Sequence, residues 1–504
     1  MSIRLLVFIA AVLLCGAAPA ADQPNIIFIF ADDLAYQAIS AYGSTINQTP
    51  HLDRLANEGV RFDRCYVTNS ICGPSRACIL TGKYSHLNGF RTNRDTFEGH
   101  QQTFPKLLQQ AGYQTAIIGK WHLVSEPTGF DFWQILPGQG RYYSPQFITS
   151  QGRLTVPGYV TSVITDRAIQ WLREERDAKR PFMLMVQHKA PHREWSPAPA
   201  HVRDFAGETL PEPKTLFDDY KNRADAARQA TMRIATNMKL DSDLKLYDPT
   251  SPYGRQMLGL MSEAERKTWL DAYAAENEAF RANPPEGQDL VRWKYQRYVK
   301  DYLRTVRSVD DSVGQLLAYL EESSLADNTV VVFASDQGFY LGEHGWFDKR
   351  FMYEQSLRTP FIVRWPGTAQ AGEVDNHIVS NLDFAETFLD LAGAAVPADM
   401  QGHSLVPLLR GGSPEDWRKS FYYQYYEGPP AEHTVAEHYG VTDGRYKLIH
   451  FYKLDQWELF DLKDDPDELR SVYGQAEYAT VQSRMLAELR RLQSDLKVND
   501  PSQK

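Results

Sequence analysis

The chain has 504 residues, a formal net charge of -10 at pH 7 and 43% hydrophobic residues. These values are typical of a soluble globular protein, and the length predicts one large domain accompanied by a smaller one. The negative charge and the absence of a long basic run argue against non-specific binding to nucleic acid, so a polyanionic substrate would have to bind in a local basic pocket.

Residues 1–21 have the pattern of a secretory signal. A short apolar run covers residues 5–14, and the segment 18–20 (Ala-Pro-Ala) is a typical cleavage site. The run is too short to span a membrane, and no other segment reaches that length. Cys15 follows a leucine, whereas lipoprotein processing prefers a small residue there. We therefore expect a protein that is exported to the periplasm or out of the cell, with no membrane span and no lipid anchor at Cys15.

Downstream of this segment, short apolar runs alternate with stretches of helical periodicity. The apolar runs cover residues 25–30, 116–119, 182–186, 329–334 and 361–364, and the helical stretches cover residues 49–58, 103–111, 160–179 and 291–322. Strands that are buried on both faces have continuous apolar sequences. Their alternation with helices predicts an α/β domain with a mostly parallel sheet sandwiched by helices.

Polar side chains directly follow several of these runs, and functional residues of parallel sheets gather at the carboxyl ends of the strands. Asp32 and Asp33 follow the first run, and Asp336 and Gln337 follow the fourth. The alternative for the first pair is a helix N-cap with one exposed neighbour. Two such pairs at one sheet edge form an all-oxygen ligand set, which predicts Ca²⁺, or with less preference Mg²⁺, rather than Zn²⁺.

Cys72 begins the sequence Cys-Gly-Pro-Ser-Arg, and a Thr-Gly pair follows at 81–82. C-x-P-S-R is the substrate pattern of an enzyme that oxidises cysteine to Cα-formylglycine (3-oxoalanine). Beyond the predicted signal the chain also contains Cys65 and Cys78, and an odd number of cysteines in an exported protein singles one of them out. Cys65 and Cys78 could then pair with each other or stay reduced.

The Cys72 segment resembles the first signature of the type I, formylglycine-dependent sulfatases, and the segment 112–122 (Gly-Tyr-Gln-Thr to Gly-Lys-Trp-His) resembles their second signature. The segments 188–192 and 341–349 also follow the family pattern. This resemblance implies an alkaline-phosphatase-like fold, one bound Ca²⁺ and hydrolysis of a sulfate ester by the hydrate of residue 72. It also implies a maturation partner, either a formylglycine-generating enzyme or an anaerobic sulfatase-maturating enzyme.

The resemblance assigns roles to individual residues of this sequence. It implies catalytic roles for Cys72, Arg76, Lys120, His122, His192 and Lys349, and metal-ligand roles for Asp32, Asp33, Cys72, Asp336 and Gln337. Cationic side chains suit this task because they stabilise negative charge on sulfate oxygens, and histidines can also move protons. Which histidine is the general acid stays open, and Arg350 competes with its neighbour Lys349.

Two loops, 141–145 and 190–195, resemble the glucosamine-6-sulfatase branch of this family. That resemblance implies a 6-O-sulfated N-acetylglucosamine-type sugar in a glycosaminoglycan as the substrate. The candidate sugar contacts are His188, Trp195, Arg91 and His438, with Arg94 and His433 as further candidates and surface or packing roles as the alternative. Three other functions stay open: a sulfatase for another sulfated polysaccharide such as an algal one, a phosphonate or phosphate monoester hydrolase, and a non-catalytic glycan-binding protein with an unmodified Cys72.

The expected organisation is a signal peptide (1–21), a catalytic α/β domain (22–410) and a C-terminal α+β subdomain (411–504). Within the catalytic domain, residues 206–290 are charged, rich in alanine and predicted to be helical. We interpret them as a solvated insertion over one edge of the sheet rather than as a substrate lid. The C-terminal part combines short aromatic strands with one amphipathic helix at 478–496, which predicts a small antiparallel sheet packed against that helix.

Overall fold

The structure, a computed structural model, describes residues 23–431 and 433–499. The predicted signal at 1–21, with Cys15, lies outside the described residues. The strands, numbered in chain order, are β1 (Asn25–Ala31), β2 (Val60–Phe62), β3 (Cys65–Tyr66), β4 (Gln114–Lys120), β5 (Phe132–Leu136), β6 (Gln146–Thr149), β7 (Gly152–Thr155), β8 (Phe182–Gln187), β9 (Thr329–Ser335), β10 (Tyr340–Leu341), β11 (Phe347–Asp348), β12 (Arg358–Thr359), β13 (Phe361–Arg364), β14 (Glu373–Asp375), β15 (Val379–Ser380), β16 (Phe421–Tyr425), β17 (His438–Thr442), β18 (Tyr446–Phe451) and β19 (Gln456–Asp461).

The helices are α1 (Pro50–Asn57), α2 (Cys72–Thr81), α3 (Ser85–Asn88), α4 (Phe104–Gln110), α5 (Val160–Gln170), α6 (Asp225–Gln229), α7 (Pro252–Leu258), α8 (Glu263–Ala282), α9 (Gly287–Glu322), α10 (Glu354–Leu357), α11 (Asp383–Leu391), α12 (Val406–Leu409) and α13 (Ala479–Asp495). None of the helices in the described part of the chain is both long enough and apolar enough to cross a membrane.

A ten-stranded sheet forms the centre of the molecule, in the order β14-β2-β13-β9-β1-β8-β4-β5-β6-β7. The inner strands β9, β1, β8, β4 and β5 are mutually parallel. Strands β1, β4, β8 and β9 are buried along their whole length, as their continuous apolar sequences predict. The predicted mostly parallel sheet is therefore confirmed.

Side chains of β1 alternate between two hydrophobic layers, one on each face of the sheet. Ile27 and Ile29 pack in the layer that contains α5 and α9. Ile26, Phe28 and Phe30 pack in the layer that contains α4 and α11. Because successive residues of a strand point to opposite faces, a single apolar run fills both layers. Helices thus cover both faces of the sheet, which confirms the predicted α/β architecture.

The C-terminal part forms a separate four-stranded antiparallel sheet in the order β16-β17-β18-β19. Helix α13 packs against it through Met485 and Leu489, which lie in one cluster with Val441 and Leu448 of the sheet. This arrangement is the predicted small antiparallel sheet with one helix.

The edges of the large sheet differ from the expectation. The apolar run at 361–364 forms β13, which pairs antiparallel with β9. Strands β2, β6 and β7 are also antiparallel to the neighbours that join them to the centre. A run of four buried apolar residues indicates a strand but carries no information about its direction.

The insertion at 206–290 is less helical than predicted. Helices α6, α7 and α8 account for part of it, and most of the segment between α6 and α7 consists of turns and irregular backbone. Lys294 of α9 donates to the backbone oxygens of Ile234 at 3.3 Å, Ala235 at 2.9 Å and Met238 at 3.4 Å. Because a buried lysine satisfies these carbonyl groups, the segment does not need helical hydrogen bonds.

Candidate active site

The carboxyl ends of β1 and β9 bring two polar pairs together. Asp32 and Asp33 follow β1, and Asp336 and Gln337 follow its hydrogen-bonded neighbour β9. The backbone N–H of Asp33 donates to Asp336 Oδ1 at 2.9 Å. All four side chains are buried. The structure therefore places the residues predicted as oxygen ligands at one point of the sheet edge.

Cys72 is the first residue of α2 and faces these pairs. Its Sγ lies 3.8 Å from Asp33 Oδ1, 3.8 Å from Gln337 Nε2 and 3.5 Å from Lys349 Nζ. Burial raises the pKa of the thiol, although Lys120 and Lys349 oppose the shift, so an unmodified Cys72 is protonated at neutral pH. The Sγ atom here stands for the oxygen atoms that a formylglycine at this position would carry.

Two buried lysines compensate the acidic pair after β1. Lys120, the last residue of β4, forms an ion pair with Asp32 and also donates to Gln139 Oε1. Lys349 Nζ lies 2.6 Å and 2.7 Å from the two carboxylate oxygens of Asp33. Each carboxylate thus has its own cation, and both cations belong to the immediate surroundings of Cys72.

Arg76 joins α2 to three strand ends. Its Nε and Nη2 donate to Asp336 Oδ2 at 3.2 Å and 3.0 Å, and its Nη1 donates to the Lys120 backbone oxygen at 2.9 Å and to Gln187 Oε1 at 3.1 Å. Such two-pronged arginine contacts restrict orientation as well as supplying charge. Arg76 therefore holds the helix that begins at Cys72 against the sheet.

Burial of several carboxylates in one cluster shifts their pKa values in different directions. Burial raises the pKa of Asp336 to about 8 and also raises the pKa of Asp33. Burial alone would raise the pKa of Asp32 too, but the nearby positive charges, with Lys120 the strongest, hold it well below its usual range. Removing carboxylates from water carries an electrostatic cost that a cation between them would lower.

His122 and His192 line the same cavity. His192 Nε2 lies 3.7 Å from Asp33 Oδ2, and its Nδ1 lies 2.7 Å from the backbone oxygen of Arg193. Because a carbonyl oxygen only accepts, this contact puts a proton on Nδ1. Burial, and after it the charge of Lys120, lower the pKa of both histidines, so both are neutral at pH 7.

The cluster fits a hard metal ion. One ligand atom from each of Asp32, Asp33, Cys72 and His192 lies within 4.8 Å of all the others. Two buried oxygens, Asp32 Oδ1 and Gln337 Oε1, have no hydrogen-bond partner among the described residues. Buried polar atoms are normally satisfied, so unpartnered oxygens beside carboxylates suit a cation that prefers oxygen ligands.

Cys72 and His192 open onto a cavity of about 760 Å³. Its lining comprises Cys72, Asn93, His122, Gln139, Gly140, Arg141, Tyr142, Lys189, His192, Arg193, Glu194, Lys239, Ser242, Asp243, Gln256, Met257, Leu260, Asp348, Lys349, Arg350, Glu427 and His433. The volume is in the range of small-molecule sites. Residues between 239 and 260 form part of the wall, so the interpretation of the insertion as a solvated decoration is wrong for this segment.

None of the four main candidates for sugar contacts lines the cavity. The side chains of His188, Trp195 and His438 are buried, each with 0% exposure. His188 Nε2 forms a hydrogen bond with Ser312 Oγ at 3.0 Å, behind the sheet edge in α9. The ring of Trp195 packs with its centre 4.5 Å from that of Tyr298. Both residues therefore support the fold rather than line the cavity.

His438 and Arg91, the other two candidates, lie in the C-terminal region or next to it. His438 Nε2 accepts from the Met352 backbone N–H at 3.1 Å, and its Nδ1 lies 2.8 Å from the Ala436 backbone oxygen. Arg91 is exposed, and its guanidinium lies 5.8 Å from the centre of the Tyr426 ring. It does not line the cavity.

Among the residues that the sequence offered with less emphasis, Arg350 and His433 line the cavity together with Asp348. Arg350 Nε lies 3.2 Å from Asp348 Oδ1, and His433 Nε2 lies 3.0 Å from Asp348 Oδ2. Asp348 and Arg350 flank Lys349 within its motif, which was the signal available for them. Gln139, the partner of Lys120, belongs to no motif that singled it out.

A sequence profile of the sulfatase family matches residues 24–394, well over half of the chain. The chain belongs to the sulfatase family. A second profile, that of N-sulphoglucosamine sulphohydrolase, C-terminal, matches residues 342–495 of this sulfatase.

Comparison with individual proteins shows which kinds of sulfatase the chain is similar to. The sulfatase is 52% identical over 495 residues to the N-acetylglucosamine-6-O-sulfatase of Bacteroides thetaiotaomicron, with 96% of this chain and 88% of the relative covered. A solved structure of a protein with its substrate D-glucosamine-2-N,6-O-disulfate matches with a TM-score of 0.93 and 51% identity, over 96% of this chain and 100% of that chain. The phosphonate monoester hydrolase of Agrobacterium radiobacter, with a TM-score of 0.67 and 21% identity over 94% and 96%, shares the fold alone. The chain is therefore a sulfuric ester hydrolase, as its sequence predicts.

Proposed function

We propose that this sulfatase removes the 6-O-sulfate group from an N-acetylglucosamine-type sugar of a glycosaminoglycan. The observation that carries the proposal is the match, at 51% identity and a TM-score of 0.93, to a protein bound to its substrate D-glucosamine-2-N,6-O-disulfate. The relative named N-acetylglucosamine-6-O-sulfatase, at 52% identity, supports a glucosamine-based sugar and selects the 6-O position over the 2-N position.

Cys72 is the proposed site of the nucleophile. Formylglycine formed from it would supply, as its hydrate, a hydroxyl group for attack on sulfur, while the S–O bond to the sugar breaks and the sugar leaves as its alcohol after taking up a proton. Lys349 Nζ, 3.5 Å from the Cys72 Sγ, favours negative charge at this position.

We propose that Lys120 donates to a sulfate oxygen and that His192 does so through a protonated Nε2, since its Nδ1 proton is already bound to the Arg193 backbone oxygen. Donors held in position before the reaction lower the barrier most. His122, whose Nδ1 has no hydrogen-bond partner among the described residues, is available to move a proton.

Asp32, Asp33, Asp336 and Gln337, together with residue 72, are the proposed ligands of one Ca²⁺. Gln337 Oε1, which accepts no hydrogen bond from the described residues, supports this assignment, as does Asp32 Oδ1, which lies 3.6 Å from the Arg76 Nη2 cation. Bound there, the ion would polarise a sulfate oxygen. The residues themselves hold the site in shape, since Asp336 is already oriented by Arg76 and by the Asp33 backbone N–H.

Three linked side chains, those of Arg350, Asp348 and His433, are the proposed contact for sugar hydroxyl groups. Asp348 bridges the other two side chains at 3.2 Å and 3.0 Å, and all three line the cavity next to Lys349. A carboxylate that accepts beside a guanidinium that donates can bind the paired hydroxyls of a sugar. Lys349 would face the sulfate group, and its neighbours Asp348 and Arg350 would face the sugar ring.

The remaining parts of the proposal concern the whole chain. We propose boundaries at 22–410 for the catalytic domain, with the insertion at 206–290, and at 411–504 for the C-terminal subdomain. The signal-like segment at 1–21 supports export to the periplasm or out of the cell. The Cys-Gly-Pro-Ser-Arg sequence supports maturation by a formylglycine-generating or an anaerobic sulfatase-maturating enzyme.

Addition of Ca²⁺ to chelator-treated protein is expected to raise its Tm. An ion that binds only the folded state stabilises it by about 2.7 kcal/mol at a concentration 100 times its Kd. Thermal unfolding with and without Ca²⁺ measures the effect in the absence of substrate. The double variant Asp32→Asn/Asp33→Asn should lose the shift, whereas Asp383→Asn, which alters a buried aspartate paired with Arg418, should keep it. An undiminished shift in the double variant would place the ion elsewhere.

The substrate is tested with a panel of glucosamine monosaccharides that carry sulfate at 2-N, 3-O or 6-O, together with 4-O- and 2-O-sulfated sugars. We expect the highest kcat/KM on the 6-O-sulfated sugars. A higher value on another position would contradict the proposed specificity. An aryl sulfate and the matching aryl phosphate, assayed in parallel, separate the sulfatase from the phosphate-ester alternative, which predicts faster cleavage of the phosphate.

A further inference from the structure

We propose that Asp243 and Lys245 of the insertion are positioning residues for His192. The insertion approaches the loop that follows β8, and this loop carries His192. The inference rests on the proposed catalytic role of His192. It assigns to the insertion a function in turnover that is distinct from covering the substrate.

Asp243 holds the side chain of the residue after His192. Arg193 Nε donates to Asp243 Oδ1 at 2.7 Å, and Arg193 Nη2 donates to Asp243 Oδ2 at 2.8 Å. Asp243 is almost completely buried, and its Oδ2 also accepts the Lys239 backbone N–H at 2.7 Å. A buried two-pronged pair of this kind is strong and directional, so the position of Arg193 depends on the insertion.

The backbone oxygen of Arg193 in turn holds two side chains of the site. It accepts from His192 Nδ1 at 2.7 Å and from Lys189 Nζ at 3.2 Å. The contact fixes the ring orientation of His192 and keeps its Nε2 on the side of Asp33, 3.7 Å from Oδ2. A displacement of Arg193 would therefore rotate or release the histidine.

Lys245 fastens the next part of the same loop. Its Nζ donates to the backbone oxygens of Glu194 at 2.8 Å, Trp195 at 3.2 Å and Asp243 at 2.8 Å. The same ammonium group lies 3.0 Å from Asp301 Oδ2 of α9. Lys245 thus connects the loop and the insertion to the long helix α9. This connection restricts the movement of Asp243.

The contacts of Asp243 and Lys245 explain why this part of the insertion is irregular. The turns at 239–245 present one carboxylate and one ammonium group to the loop, and these groups bind a guanidinium and the backbone oxygens, respectively. Residues that orient a catalytic group through hydrogen bonds typically change activity by about 10- to 100-fold when they are replaced.

Asp243→Asn is the first test, because asparagine keeps the volume but loses the charge that holds Arg193. We expect kcat to fall by about 10- to 100-fold, by analogy with other orienting hydrogen bonds. The fall should be equal on a small aryl sulfate and on a 6-O-sulfated sugar, since His192 acts at the sulfate group that both share. A loss confined to the sugar would mean that Asp243 contacts substrate directly and would overturn the proposal.

Asp271→Asn is the matched control. Asp271 lies in α8 of the same insertion and pairs with Lys267 of the same helix at 2.6 Å, outside the His192 loop. This variant should retain wild-type kcat, and the Tm of both variants reports any general loosening of the insertion. An equal fall in kcat for Asp271→Asn would show that Asp243 acts through overall stability only.

A double-mutant cycle with His192→Ala tests whether Asp243 acts through His192. In the His192→Ala background, Asp243→Asn should change kcat by no more than about twofold, because the group that it positions is already gone. A full additional loss would contradict the inference. If His192→Ala itself keeps wild-type kcat, the proposed role of His192 fails instead. Should Asp243→Asn not fold, Arg193→Lys, which keeps the charge but loses the two-pronged contact, takes its place in the cycle.

Discussion

Replacement of Cys72 by alanine is expected to abolish sulfate release. Alanine cannot be converted to formylglycine, and no other side chain of the described residues lies at the same point between Asp33, Gln337 and Lys349. Loss of a covalent nucleophile can reduce kcat by about 10⁶-fold in hydrolases, so activity should fall to the detection limit. Sulfate release from an aryl sulfate by purified protein measures the effect.

The other buried cysteines provide the control for this variant. Cys65, Cys72 and Cys78 are all free in this structure, so Cys65 and Cys78 do not pair with each other. Cys78 belongs to the same helix, α2, and its Sγ lies 3.6 Å from Ser85 Oγ. Cys78→Ala should therefore keep its activity while losing a similar side-chain volume. Activity in Cys72→Ala that matches that of Cys78→Ala would contradict the assigned nucleophile.

Replacement of Lys120 by methionine has the second largest expected effect. Lys120 is completely buried and forms an ion pair with Asp32, so its charge acts in a medium that screens little. Removal of one such stabilising group from an active site typically lowers kcat by about 10²- to 10³-fold. Methionine keeps most of the side-chain volume, so the measured loss reports the missing charge and its hydrogen bonds.

Stability must be measured beside activity for this variant. Removal of one partner of a buried ion pair typically destabilises a protein by about 3–5 kcal/mol, and here it leaves Asp32 without its cation. Thermal unfolding and kcat on the folded fraction separate the two effects. Lys83→Met is the control, because Lys83 pairs with Asp399 at the surface next to the end of α2. Wild-type kcat in folded Lys120→Met would remove this residue from the proposed mechanism.

The polar pairs could be placed from sequence because parallel strands impose a common edge. Asp32, Asp33, Asp336 and Gln337 each follow a continuous apolar run, and the carboxyl ends of adjacent parallel strands lie side by side. Lys120 ends another such run. The prediction that these side chains meet thus rested on strand alternation, whereas their chemical roles came from the resemblance to a family.

The sugar contacts could not be placed in the same way. Trp195 is only three residues from His192 in sequence, yet the chain turns it into the core against Tyr298. A histidine or tryptophan near a motif carries no sequence signal for burial, because the same polar aromatic side chain suits a core hydrogen bond and an open site. The cavity-lining residues 239–243 of the insertion belong to an irregular segment, in which Lys245 binds the Asp243 backbone oxygen and Lys294 binds that of Ala235 in place of helical hydrogen bonds.

The mass of the peptide that contains Cys72 shows whether residue 72 is a formylglycine. Protein purified from its native host is digested without prior reduction of aldehydes and analysed by mass spectrometry. Conversion to formylglycine replaces the thiol by an aldehyde and lowers the mass by about 18 Da relative to cysteine. We expect this lower mass, together with reactivity towards an aldehyde-specific hydrazide. An intact Cys72 thiol in a preparation that releases sulfate at full rate would contradict it.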